Sequence, residues 1–469
     1  MSAGIHLQKK GIKTEIFEIS GTAGGVCIAW ERQGHRFDSC IHWMVGTQPG
    51  DSFNDLYREV DALTADTPIF NEESLIYDIA GKMIEIPLRY PAFKEYLLKV
   101  SPQDSKQIDE FCGELEKLMA SKMPAGSPGS FFGLLRMLKE NMPFINMVRK
   151  FSAITVGEYV ERFSNPDLKS IIFMLMSPNY STAALFMMLG TRLAGNAGYP
   201  LGGAYEVVER MVKKYEALGG AIHYNSRVDE IIVENGRAAG VRSKGCTHAS
   251  DAVIAACDMY DTLNKMLGSK YPHSQLNKML ESSELFTPIC YVSYGLDRRL
   301  GIPPSVLVHS PEGVSAAPDY KEQNIFVRSL EFDPSSAPEG CSSIMVLINS
   351  RLDSWQTLRN ENMEQYKAMK HKLADEVTNI LDMKYPGFRE SIRVLDISTP
   401  ATYLRYTNVY KGSYEGFEPT PAALRTNIRK SVDGVKGLYL AGQWTTPGGG
   451  LCTAVQSGKS AAEAITKRR

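Results

Sequence analysis

The sequence predicts an α/β fold, and three observations predict this. A helix, a glycine stop and a strand ending in an acid open the chain. A helix, a strand and a hairpin occupy its middle, and a strand, a glycine-rich loop and a helix close it. The composition allows such a fold: 469 residues exceed one ordinary domain, and 43% hydrophobic with 22% charged residues can build a large core. The formal net charge of −1 argues against a dedicated nucleic-acid binder.

Residues 2–10 (SAGIHLQKK) read as a helix that Gly11 ends, and residues 13–19 (KTEIFEI) alternate as a strand with Glu18 near its end. This is the second half of a Rossmann-type dinucleotide-binding βαβ unit, in which the acid accepts hydrogen bonds from ribose hydroxyls. The glycine fingerprint of that unit precedes the acid by roughly 20 residues. Glu18 lies too close to Met1 for that, and no G-x-G-x-x-G occurs elsewhere. The expectation is a start placed at an internal methionine, with the phosphate loop upstream; the alternative is a protein that has lost its pyrophosphate loop. Residues 21–27 (GTAGGVC) follow as a turn in which Gly24 and Gly25 let backbone approach a ligand closely. Residues 34–46 (GHRFDSCIHWMVG) form a short strand and loop carrying Asp38, His42 and Trp43.

From about residue 60 to 195 the chain is helical by period and rich in Met, in patches such as KSIIFMLM and TAALFMMLG. Met lines irregular apolar pockets and also fills cores. Residues 131–150 set Arg136, Lys139, Arg149 and Lys150 among large apolar side chains. That suits peripheral contact with a membrane surface, or an amphipathic helix packed on a core. Residues 198–241 return to α/β grammar: Gly202 and Gly203 open a helix, 221–224 and 227–233 read as strands, and Asn235-Gly236 marks a hairpin. Residues 252–256 read as a buried strand, 361–383 as one long helix. At the C-terminus, strand 437–441, loop 442–450 (GQWTTPGGG) and helix 451–467 aim free N–H groups and a positive dipole end at a ligand.

The eight cysteines form no CxxC pair and no zinc spacing, so no metal is expected. With no apolar leader and no run of 18 apolar residues, a cytoplasmic protein, peripheral on a membrane at most, is expected.

Glu18 with Gly24-Gly25, GHRFDSCIHWMVG, GYPLGGAYEVVERM, NSRVDEIIVENGRAAGV and GLYLAGQWTTPGGG resemble, in order, FAD-dependent oxidoreductases of the phytoene desaturase, carotenoid isomerase and retinol saturase group. The resemblance implies FAD and a Rossmann-type FAD-binding domain, N-terminally truncated, from residues 1–60, 200–270 and 396–469. The inserted mixed α+β substrate domain would comprise 61–199 and 271–395. Glu18 would hold the adenosine ribose, Gly24 and Gly25 would pass close to the cofactor, and the Val228 backbone would clamp adenine. Gly442, Gln443, Gly449, Gly450 and Leu451 would run along the ribityl chain and the ring. Val26 stands where members of the group often carry Arg or Lys.

The implied chemistry is hydride exchange between flavin and a long apolar polyene or isoprenoid, by desaturation, saturation or isomerisation. The alternatives are an amine-oxidase-like flavin oxidoreductase with another substrate, or a non-catalytic scaffold. His42 is the candidate for assisting proton transfer or positioning substrate, against a hydrogen-bonded structural histidine. Trp43 and Trp444 are candidate channel walls, against core packing, and Arg405 with Tyr406 are candidate cavity residues.

Overall fold

The computed structural model describes residues 1–121 and 141–467. The opening helix, Ser2–Gln8, buries Ile5 and Leu7 and packs between helices Gly203–Ala217 and Gly450–Thr466. Ser2 Oγ donates to the Val455 carbonyl at 2.7 Å, tying the first helix to the last. Strand Glu15–Phe17 pairs in parallel with Ala221–His223. A second parallel pair joins Val253–Ala255 to Leu438–Leu440. The two pairs form separate sheets. Beside them the hairpin Val228–Glu234 and Arg237–Ser243 turns at Asn235 (φ 51°) and Gly236 (φ 71°), the two positive φ values of a type I′ turn.

The largest sheet has seven strands, in the order Ile392–Ser398, Ile289–Leu296, Ser342–Asn349, Tyr320–Ser329, Ser305–Ala317, Ser74–Ile79, Lys82–Pro87. Only the contact between Ser305–Ala317 and Ser74–Ile79 is parallel. One face packs against helix Met363–Lys384 through Leu373, Val377 and Leu381. The other contributes Tyr291, Met345 and Leu347 to a cluster around Phe37. Helices Ala92–Val100, Ser105–Met119, Met142–Phe151, Pro166–Leu175 and Thr182–Leu193 enclose a separate core around Phe111, Phe151 and Phe186.

One expectation changes. The region from residue 60 is not uniformly helical, because strands Ile69–Phe70, Ser74–Ile79 and Lys82–Pro87 precede the helices. Ser74–Ile79 finds its parallel partner in Ser305–Ala317, far along the chain, which no local period records. The long helix expected over residues 361–383 is Met363–Lys384, preceded by a separate helix, Leu352–Glu361. Asn362 leaves helical conformation and caps the second by accepting the Gln365 N–H at 3.0 Å. Of the candidate membrane segment, residues 131–140 lie outside the described residues, and the rest begins helix Met142–Phe151. No described helix is long and apolar enough to cross a membrane.

Candidate active site

One cavity of about 2020 Å³ runs through the molecule, and every sequence-predicted site residue except Arg405 lines it. The volume is well above the roughly 300–1,000 Å³ of an ordinary small-molecule pocket. Both parallel strand pairs line it, as does the start of the last helix.

At one end, Glu18 follows strand Glu15–Phe17, and its Oε1 accepts the Ser20 N–H at 2.8 Å. Burial pushes this carboxyl up, and the Ser20 N–H opposes it. Val228 opens the hairpin nearby and lines the same wall. Gly24 has φ +120°, and a Cβ there would stand 2.3 Å from the Cys27 carbonyl oxygen, so this tight turn requires glycine.

The next stretch depends on Asp38. Its carboxylate accepts the N–H groups of Cys40 and Ile41 at 2.9 Å and that of Ala204 at 2.8 Å. Burial pushes its pKa up against those three donors. Helix Gly203–Ala217 lacks a capping side chain of its own, and Asp38 takes that place from a distant strand. The loop after Asp38 then carries His42 and Trp43 into the cavity wall.

His42 Nε2 is buried and meets no partner among the described residues, and the His42 carbonyl accepts Arg328 Nη2 at 2.9 Å. Burial first, then the Arg328 and Arg192 charges, lower its pKa to about 3. The imidazole is therefore neutral at physiological pH and has no ring proton of an imidazolium to give. Arg192 lies over the Trp43 ring at 4.8 Å and is ion-paired with Glu72.

The last helix, Gly450–Thr466, has no side-chain cap, and Gly450, Leu451, Cys452 and Thr453 line the cavity. Its first-turn N–H groups and dipole stay available to a ligand. Gly449 (φ +45°) is pressed against Glu415, and a Cβ there would lie 2.5 Å from that residue's Cγ and carbonyl oxygen. The Gly442 N–H is already engaged by Ser457 Oγ at 2.8 Å, and Gln443 Nε2 donates to the Tyr414 carbonyl at 3.0 Å. Trp444 reaches the cavity but is mostly core, packed edge-on against Phe417 at 5.5 Å.

Tyr406 lines the cavity, whereas Arg405 does not. Consecutive residues of helix Pro400–Thr407 project in different directions, and Arg405 turns outward to lie over the Tyr406 ring at 4.6 Å. Sequence reasoning missed Glu415, Tyr180, Tyr291 and Tyr403, which also line the cavity. Each stands in a stretch with no motif of its own, so only the fold gathers them.

These features fit a flavin dinucleotide. An acid stands at a strand end beside a glycine turn, an uncapped helix start lies further along, and the cavity is large enough for a second, apolar ligand.

Comparison with known proteins agrees. The family "flavin containing amine oxidoreductase" matches residues 1–466. Among curated relatives, the chloroplastic prolycopene isomerase of Daucus carota is 24% identical, over 99% of this chain and 77% of its own length. The lycopene-forming phytoene desaturase of Pseudescherichia vulneris is 25% identical, over 98% of this chain and 96% of its own. Among solved structures, an oxidoreductase from Methanosarcina mazei superposes with a TM-score of 0.61 at 17% identity, over 99% of this chain and 97% of that one. A redesigned putrescine oxidase gives 0.62 at 14% identity, over 100% of this chain and 96% of that one. An end-to-end family match and a cavity that fits the dinucleotide converge: the chain belongs to the flavin-containing amine oxidoreductases and is an FAD-dependent oxidoreductase.

Proposed function

We propose that this enzyme exchanges hydride with a long apolar polyene or isoprenoid, in a desaturation, saturation or isomerisation. The observation that carries the reading is the continuity of the cavity. It runs from the uncapped helix start at Gly450 to walls made by Met174, Met176, Met187 and Met188 with Phe144 and Tyr180. Flexible thioethers suit an extended chain of uneven width. The relatives named as a phytoene desaturase and a prolycopene isomerase support the same class.

Bound FAD supplies the hydride acceptor or donor. In this reading Glu18 binds the ribose, Gly24 and Gly25 admit the cofactor, and the Val228 backbone flanks adenine. Gly442, Gln443, Gly449, Gly450 and Leu451 hold the ring end. His42, as a neutral imidazole, positions substrate beside Trp43, and Tyr406 and Trp444 bound the channel. The apolar lining excludes water from the reacting carbons.

The test is anaerobic bleaching of the flavin absorbance in purified protein. Candidate polyenes are phytoene, prolycopene and retinol; putrescine and cyclohexylamine are the counter-set. Bleaching or isomer formation with a polyene supports the reading, with chromatography of the product. Bleaching by amines alone overturns it. Peripheral membrane contact belongs to the same proposal, since helix Met142–Phe151 exposes Met142 and Val148 beside Arg149 and Lys150. Flotation with anionic lipid vesicles tests it, and protein left wholly in the unbound fraction would refute it.

A further inference from the structure

The segment around Glu415 is pinned over the start of the last helix from both sides. Gln443 Nε2 donates to the Tyr414 carbonyl at 3.0 Å, and the Gly448 N–H donates to the Phe417 carbonyl at 2.9 Å. Ser413 Oγ closes the turn onto the Gly416 carbonyl at 2.8 Å, and the Phe286 N–H holds that carbonyl at 3.0 Å. The Glu415 side chain is thereby held against Gly449 and Gly450, and a Cβ on Gly450 would sit 3.5 Å from its Oε1. The residue lines the cavity at the junction between the helix start and the Met- and Tyr-lined wall. Nothing in the fold's own architecture uses its carboxyl: among the described residues no cation and no hydrogen-bond donor meets it.

We propose that Glu415 is the catalytic acid–base group of this site, exchanging a proton with the carbon next to the one that exchanges hydride. The step rests on the polyene reading above. In the oxidative direction a C–H bond gives its hydride, two electrons and a proton, to the bound flavin. The neighbouring C–H bond then breaks, its electron pair forms the new C=C, and its proton goes to a Glu415 carboxylate oxygen. In the reductive direction the same oxygen returns the proton.

The chemistry of the surroundings is consistent. Burial alone raises the Glu415 carboxyl to about 7, so both forms are present near neutrality. The titratable groups that face it are Cys40, Tyr180, Tyr291, Tyr414 and Cys452. Burial pushes the four besides Cys40 up, and Cys40 is raised first by its hydrogen bond with Cys27. All five hold their protons at neutral pH. His42 titrates far below neutrality. Asp258, also on the cavity, has its carboxylate engaged by the Asp261 and Tyr410 N–H groups at 3.0 and 2.7 Å.

The experiment uses the flavin-loaded enzyme, Glu415→Gln and Glu415→Ala, with the polyene that bleaches the wild type most rapidly. The wild-type single-turnover rate should follow one ionisation near neutrality. Glu415→Gln should be slower by about 100-fold or more, with that ionisation gone from its pH profile. Formate should restore part of the rate to Glu415→Ala. The infrared spectrum of the protein without substrate gives a second readout: a protonated carboxyl band should fade as pH rises through neutrality, and be missing in Glu415→Gln. A wild type bleached by polyene beside an equally fast Glu415→Gln with the same pH profile overturns the assignment to Glu415. So does a carboxyl band that titrates unchanged in that variant. A wild type that neither bleaches with nor isomerises any polyene overturns the substrate reading and the polyene step with it.

Discussion

Glu415 also carries a cost in stability that can be measured apart from activity. Its folded-state pKa is raised from 4.5 to about 7 by burial. A carboxyl raised in this way leaves the fold most stable while it is protonated, below its unfolded value. That stability is lost as pH rises through the folded value, by on the order of 3 kcal/mol. Glu415→Gln should therefore melt higher than wild type at about pH 8, and the gap should close by about pH 4.5. A gap that does not change with pH would contradict this. Asp38 is also buried, but its carboxylate is partnered, accepting three N–H groups from two parts of the chain. Asp38→Ala orphans all three and should lower unfolding stability by on the order of 3 kcal/mol, measured by urea denaturation. The sequence carried Asp38 inside a recognisable stretch but did not reveal that it caps a helix well over a hundred residues away.

Between elements, the decisive contact is the crossing of the first and last helices. A Cβ on Gly458 would lie 2.9 Å from Ser2 Cβ and from the Ala3 backbone nitrogen. Small side chains along helix Gly450–Thr466 therefore serve close packing against Ser2–Gln8 rather than flexibility. Gly458→Val should force the helices apart and lower stability by about 1–3 kcal/mol. It should also weaken flavin retention, because the same helix presents its uncapped start to the cavity. Thermal melting and the ratio of flavin to protein absorbance check both outcomes. Full flavin occupancy in the variant would sever the link between helix packing and cofactor binding. The helices and the hairpin were legible because period, Gly stops and Asn235-Gly236 are local signals. Strands Ser74–Ile79 and Lys82–Pro87 were not, since their pairing is long-range.

On the scale of the whole molecule, Glu72 stitches distant parts together. It pairs with Arg192, accepts Ser305 Oγ, and stands 4.0 Å from Arg328 Nη1. Arg328 in turn donates to the His42 carbonyl, so the helical wall, the large sheet and the cavity loop share one buried network. The side chains of Arg192, Glu72 and Arg328 are only 6%, 10% and 1% exposed. Glu72→Gln leaves two buried guanidinium groups without their counter-charge and should cost about 3–5 kcal/mol. Denaturant unfolding measures this, and a loss below about 1 kcal/mol would mean that Arg192 finds another partner or water.

The sequence by itself carried the α/β grammar of the two ends and the resemblance to flavin-dependent oxidoreductases, and its candidate site residues, Arg405 apart, line one cavity. Those signals are local: caps, glycine turns and alternation act over a few residues and survive in one dimension. Only the tertiary structure decided that Arg405 turns away, that burial, helped by the Arg328 and Arg192 charges, keeps His42 neutral, and that Glu415 meets the last helix with no partner for its carboxyl among the described residues. The physical reason is that desolvation and charge pairing depend on what the fold brings within a few ångströms. The arginines beside His42 and the glycines against Glu415 come from elsewhere in the chain.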